Sequence, residues 1–78
     1  MSMIRSNQKE LDAKGIIKFF GGKHAIVEAY NKQLKSVITI KAIEKWEERK
    51  AIALKHIVAL EEIAKKNGKI FEWRDYLK

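Results

Sequence analysis

Residues 38–46 read Ile-Thr-Ile-Lys-Ala-Ile-Glu-Lys-Trp, and the fold turns on whether they coil or extend. Thr39 is a natural N-cap, and Ala42, Ile43 and Trp46 recur at helical spacing behind it, which predicts a helix with one apolar stripe. Against that, Val37, Ile38, Thr39 and Ile40 are β-branched, and the same stretch reads as a strand over 34–43. The flanking sequence is the context for that choice. Upstream, the phrase Ile17-Lys-Phe-Phe-Gly-Gly-Lys-His-Ala-Ile-Val-Glu-Ala-Tyr30 divides at Gly21-Gly22. A short first helix over about 10–20 carries Leu11, Ile16, Ile17, Phe19 and Phe20, and the glycine doublet ends it. A second helix opens at Lys23, buries Ala25, Ile26, Ala29 and Tyr30, and closes at Asn31, leaving 32–38 as a long connection.

Downstream, Glu47-Glu48-Arg49-Lys50 reads as the exposed end of the third helix. A fourth, over about 51–66, aligns Ala53, Ile57, Leu60 and Ala64, with Ile52, Leu54, Val58 and Ile63 widening the stripe. Lys65-Lys66 suit its C-terminal dipole and Asn67-Gly68 stop it. Residues 69–78 are too aromatic for a solvated tail; they read as a short strand at 69–71 and one helical turn. Phe71, Trp73, Tyr76 and Leu77, with Ile70, form either a lid on the body or a dimer seam. Residues 1–9 are polar and aperiodic, a flexible arm in which Arg5 and Lys9 stand ready for a nucleic-acid backbone. The expectation is therefore an all-α domain of four or five helices over 10–68, between that arm and the aromatic segment.

Composition narrows the chemistry. A chain of 78 residues is one small domain. It has no cysteine, which excludes disulfides, thiolate catalysis and cysteine-ligated zinc, and its only histidines are His24 and His56. No Ser/His/Asp or Cys/His set, no H-E-x-x-H and no phosphate-cradling glycine loop occurs, so an enzyme, a metal centre and a cofactor are not expected. Nor is a small-molecule ligand evident. Glu47-Glu48 and Glu61-Glu62 are neighbours that point to different helix faces, not acid/base dyads. No apolar run is long enough for a membrane span, and residues 1–8 lack an apolar leader core, so a cytoplasmic setting is expected. The net charge of +7, with 17 cations against 10 acids, fits the electrostatic footprint of a nucleic-acid binder. Six lysines and only two acids fall between Lys18 and Lys45, which concentrates the positive charge around the second and third helices.

The order Phe20-Gly21, Ala25 with Ala29, Ile38-Thr39, Ala42-Ile43, Trp46 resembles the helix-turn-helix of Cro-type phage repressors and related small prokaryotic regulators. Ile52-Ala53-Leu54-Lys55-His56 is similar to the family's Ile-Pro-x-x-Arg, with alanine for proline and histidine for arginine. The likeness covers positions 16–57. It implies a lambda-repressor-like domain in a prokaryotic or phage-infected cell, binding double-stranded DNA as a homodimer and acting as a repressor by occupying an operator. One departure is the connection after Asn31, several residues longer than the usual turn of about three or four.

The physics of groove reading selects the residues. A recognition helix buries one stripe and offers the other to the major groove. With Ala42, Ile43 and Trp46 inward, Ile40, Lys41, Glu44 and Lys45 remain for base edges, the two lysines sharing a face at i, i+4. Lys23 and His24 at the second helix's N-terminus, Lys32 and Lys35 in the connection, and Thr39 at the cap are the phosphate candidates. Blander roles compete: Trp46 and Tyr30 as core, His56 as an ordinary helix residue, and Lys55, Lys65 and Lys66 as a solvated face. The rival functions are a helical protein-interaction module anchored by the aromatic tail, such as a phage-encoded inhibitor or antitoxin-like partner, and RNA binding by the same basic face.

Overall fold

The computed structural model describes residues 10–77, and these form four α-helices and a 3-10 turn with no strand. The helices are α1 (Ala13–Phe19), α2 (Lys23–Leu34), α3 (Ile40–Arg49) and α4 (Leu54–Lys66), and the 3-10 turn is Trp73–Tyr76. The strand reading of 34–43 is thereby overturned. The β-branched preference survives only as extended backbone ahead of α3, with Thr39 at φ −101° and ψ 158°. From there the helix wins: Thr39 Oγ1 accepts the Ala42 N–H at 3.1 Å and satisfies one of its open amides.

Three helix boundaries and one expected strand differ from expectation. Helix α1 starts at Ala13 because 10–12 are tied down elsewhere: the Leu11 N–H donates to Lys50 O and the Asp12 N–H to Tyr76 O. Asp12 caps α1 through the Gly15 N–H at 3.1 Å. Helix α2 runs past Asn31 to Leu34, where Lys35 takes the left-handed conformation (φ 53°) and closes the end on Tyr30 O. The physical reason is the stripe Ile26, Tyr30, Leu34: a stop at Asn31 would pull Leu34 off the core it packs against. The lengthened turn accordingly shrinks to 35–39. Helix α4 starts at Leu54, not 51, because Lys50 is also left-handed and Ala53 is extended. Finally, no strand forms at 69–71; among the described residues the tail's only ladder contact is an isolated bridge between Leu77 and Leu11.

The two glycine stops fall where expected. Gly21 and Gly22 adopt φ of +96° and +108°, which reverse the chain between α1 and α2. Gly68, at +71°, ends α4.

Each helix sends a fully buried side chain to one core: Ile16, Ile26, Ile43, and Leu60 with Ile63. Tyr30, Trp46, Ile57 and the turn residue Ile38 join it, with Leu11, Ala13 and Ile17 from the α1 end of the chain. The expected stripe of α4 is too wide, since Ala53, Leu54 and Val58 face solvent. No helix among the described residues is long and apolar enough to cross a membrane. Residues 1–9, the expected arm with Arg5 and Lys9, lie outside the described residues.

Candidate nucleic-acid interface

Helix α3 is held from behind. Ile43 is fully buried and Trp46 nearly so, and the indole packs 5.3 Å from the His56 ring of α4. His56 Nδ1 lies 2.8 Å from Tyr30 Oη on α2, so one aromatic junction ties α2, α3 and α4 together. Burial pushes the Tyr30 hydroxyl up to about 12, which keeps it a donor at neutral pH. Burial, then the charge of Lys55, lowers His56 below its ordinary 6.5, which keeps its ring neutral and able to accept. His56, read from sequence as a bland helix residue, is thus a structural link.

The opposite side of α3 is open. Lys41, Glu44 and Lys45 are exposed, and Ile40 is half-buried beside them. The two lysines lie one turn apart on one edge, and Arg49 extends that edge by another turn. Arg49 was missed in the sequence, where it read only as part of a charged helix end. Val37 was missed as well: it stands 88% exposed in the 35–39 turn, directly before buried Ile38. The signal available was an apolar residue with no helical partner, two residues before a capping threonine.

The phosphate candidates divide into two groups. Lys32 and Lys35 are exposed near the turn, on the leading side of α3, and Thr39 is occupied in capping. His24 is exposed at the start of α2. Lys23 does not stand free: its Nζ lies 3.2 Å from Glu47 and 3.9 Å from Glu44, both on α3. It acts first as a strut between α2 and α3. The two ends of α2 are about 18 Å apart at the usual helical rise, enough for His24 and Lys35 to flank a major groove about 12 Å wide.

The aromatic tail folds onto its own body. Phe71 packs against Phe19 and Phe20 with ring centroids 5.5 and 5.1 Å away, and Tyr76 lies 6.0 Å beyond. Trp73 is half-buried, Leu77 sits at the surface, and Ile70 is 91% exposed. Of the dimer candidates, then, Phe71, Trp73 and Tyr76 cover the core, and Ile70 and Leu77 remain outward. Among the described residues no three His, Asp or Glu side chains gather to hold a metal ion. Comparisons of the chain with protein-family models, curated proteins and solved structures found no match.

Proposed function

We propose that this protein binds double-stranded DNA with sequence preference, as a small helix-turn-helix repressor that acts by occupying its operator as a homodimer. The observation that carries the reading is the construction of α3. A threonine-capped helix is gripped along Ile43 and Trp46 and leaves Lys41 and Lys45 exposed on one edge. It follows a five-residue turn (35–39) from α2, close to what a helix-turn-helix uses. A rigid, half-buried helix with a cationic edge meets the two demands of groove reading, preorganisation and access. Around it, residues 18–45 hold six lysines against two acids.

The roles follow from position. Lys41 and Lys45 reach guanine acceptors or nearby phosphates, and Glu44 accepts from a cytosine amino group. Ile40 offers a methyl surface to thymine. His24, Lys32 and Lys35 hold phosphates, and Lys23 orients the acids of α3. The tail-anchored protein-interaction reading is weakened by the inward packing of Phe71 and Tyr76.

Selection of bound duplexes from a random pool tests the proposal. An enriched two-fold motif is expected, and an unenriched pool sinks it. On the selected duplex, Lys41→Ala or Lys45→Ala is expected to cost about 1–3 kcal/mol and relax preference at one base pair, with log affinity falling steeply against log salt. Unchanged affinity in both variants refutes the assignment of α3, and tighter binding of structured RNA than of duplex at equal salt favours the RNA alternative.

A further inference from the structure

The segment that joins α3 to α4 is built of small side chains. Lys50 turns the chain in the left-handed conformation, and the Ala51 N–H returns to Trp46 O at 3.2 Å. Ala51 and Ala53, with Ala42 on α3, are too short to cover what lies behind them. They border a cleft of about 370 Å³ that Trp46 and His56 also line. That volume is in the range of small-molecule pockets.

The polar side chains of the cleft are donors with no acid among them. Lys45 and Arg49, one turn apart on α3, line it, and no carboxylate does. Exposed Glu48 lies between them in sequence but is not part of the lining. Among the described residues neither cation is ion-paired. Trp46 is only 6% exposed, yet among the described residues its indole N–H has no acceptor. No sealed side-chain nitrogen there lacks a partner, so this one is reached from the surface. The His56 ring, 5.3 Å from the indole, commits Nδ1 to the Tyr30 hydroxyl. A neutral ring that accepts at Nδ1 carries its hydrogen on Nε2, which makes that nitrogen a second donor without a partner among the described residues.

Such a donor set fits an anion, and the walls fit a flat one. Arg49 can take a carboxylate through two parallel N–H groups, and Lys45 adds a point charge. Ile52, the alanines and the indole offer apolar contact to a ring.

We propose that this cleft binds a small planar carboxylate, with its ring against Ile52 and Trp46 and its charge held by Lys45 and Arg49. The site does not rest on the DNA-binding reading, although Lys45 serves both. Titration of the nitrogen-labelled full chain with naphthoate, followed by heteronuclear NMR, tests it. The two indole N–H signals are told apart with Trp73→Phe. The Trp46 signal is expected to shift saturably, with a dissociation constant on the order of 1 mM or below, and the Trp73 signal to stay in place. Lys45→Gln and Arg49→Gln are each expected to weaken binding on the order of 10-fold with unchanged helical circular dichroism, and Lys66→Gln to leave it as it is. Naphthoate that moves only the Trp73 signal, or no saturation up to about 10 mM, overturns the proposal. So do Lys45→Gln and Arg49→Gln chains that bind as tightly as wild type, and so does equal binding of the uncharged naphthyl methanol or of inorganic phosphate. A chain that binds naphthoate at Trp46 but has no duplex affinity refutes the DNA reading alone.

Discussion

Replacing Tyr30 by phenylalanine removes one atom from the junction behind α3. The ring stays, so no cavity opens, and the loss is confined to the 2.8 Å hydrogen bond with His56 Nδ1. An ordinary intramolecular hydrogen bond contributes roughly 0.5–1.5 kcal/mol net. Tyr30 is almost wholly buried, but His56 is only half-buried and its freed nitrogen regains some water. The two considerations set the expected cost near the middle of that range, about 1 kcal/mol. For a domain of this size such a loss lowers Tm by roughly 4–8 °C. Thermal unfolding at pH 8, followed by circular dichroism and by the fluorescence of Trp46 and Trp73, gives the number. The two probes should shift together, because α2, α3 and α4 share one core. A Tm within a degree of wild type would refute the claim that this bond secures the junction. A loss several times larger would show that the phenol fixes the packing of α3 and not just one contact.

Acid should act through the other partner. His56 titrates below 6.5 when folded, so the unfolded chain binds its proton first; stability is full above pH 6.5 and falls as pH drops through that value. His56→Gln should flatten the decline between pH 6.5 and the carboxylate range, and an unchanged slope in urea titrations would assign it elsewhere. At the α1–α2 reversal Gly22 has φ +108° and ψ 173°, a region nearly closed to side chains, and an added Cβ there meets nothing within 4 Å. Gly22→Ala should therefore cost about 1–3 kcal/mol through the backbone alone, and a near-neutral effect in chemical denaturation would mean that the turn relaxes freely.

The signals that were legible share a cause: each was local. Thr39 announced the start of α3, Gly21-Gly22 the end of α1, and Asn67-Gly68 the end of α4, because caps and positive-φ turns depend on a few neighbouring residues. The misread boundaries depended on distant ones. Asn31 is an acceptable helix stop by propensity, but Leu34 is drawn to the core, and the chain accepts lysine at the left-handed position to keep it there. Lys50 does the same for α3, and neither lysine carries a local hint of that backbone. On α4 the sequence offers more apolar residues than one stripe can bury. Which are spare is decided by the tail, whose Leu77 and Trp73 stop short of covering Leu54. The site was legible to the same degree: the exposed lysines of α3 followed from its buried stripe, whereas the capture of Lys23 by two glutamates required the crossing of α2 and α3.

That capture changes how the charged face works. Glu44 and Glu47 place negative charge on the helix proposed to approach phosphates, and left alone they would oppose every duplex equally. Lys23, held between them, offsets that repulsion on the flank facing α2. The cations of α3 lie on the other edge, at Lys41, Lys45 and Arg49, with exposed Glu48 one turn beyond Lys45. The helix consequently has a polarity across its width, with an acidic flank toward α2 that Lys23 offsets only in part and a cationic edge away from it. Diffuse lysine charge can bring a chain to DNA but does little to orient it. On the proposed DNA reading, a helix with one cationic edge, rigidly capped and backed by Trp46, favours one docking pose, and a fixed pose would let side chains at Ile40, Lys41 and Lys45 discriminate between base pairs.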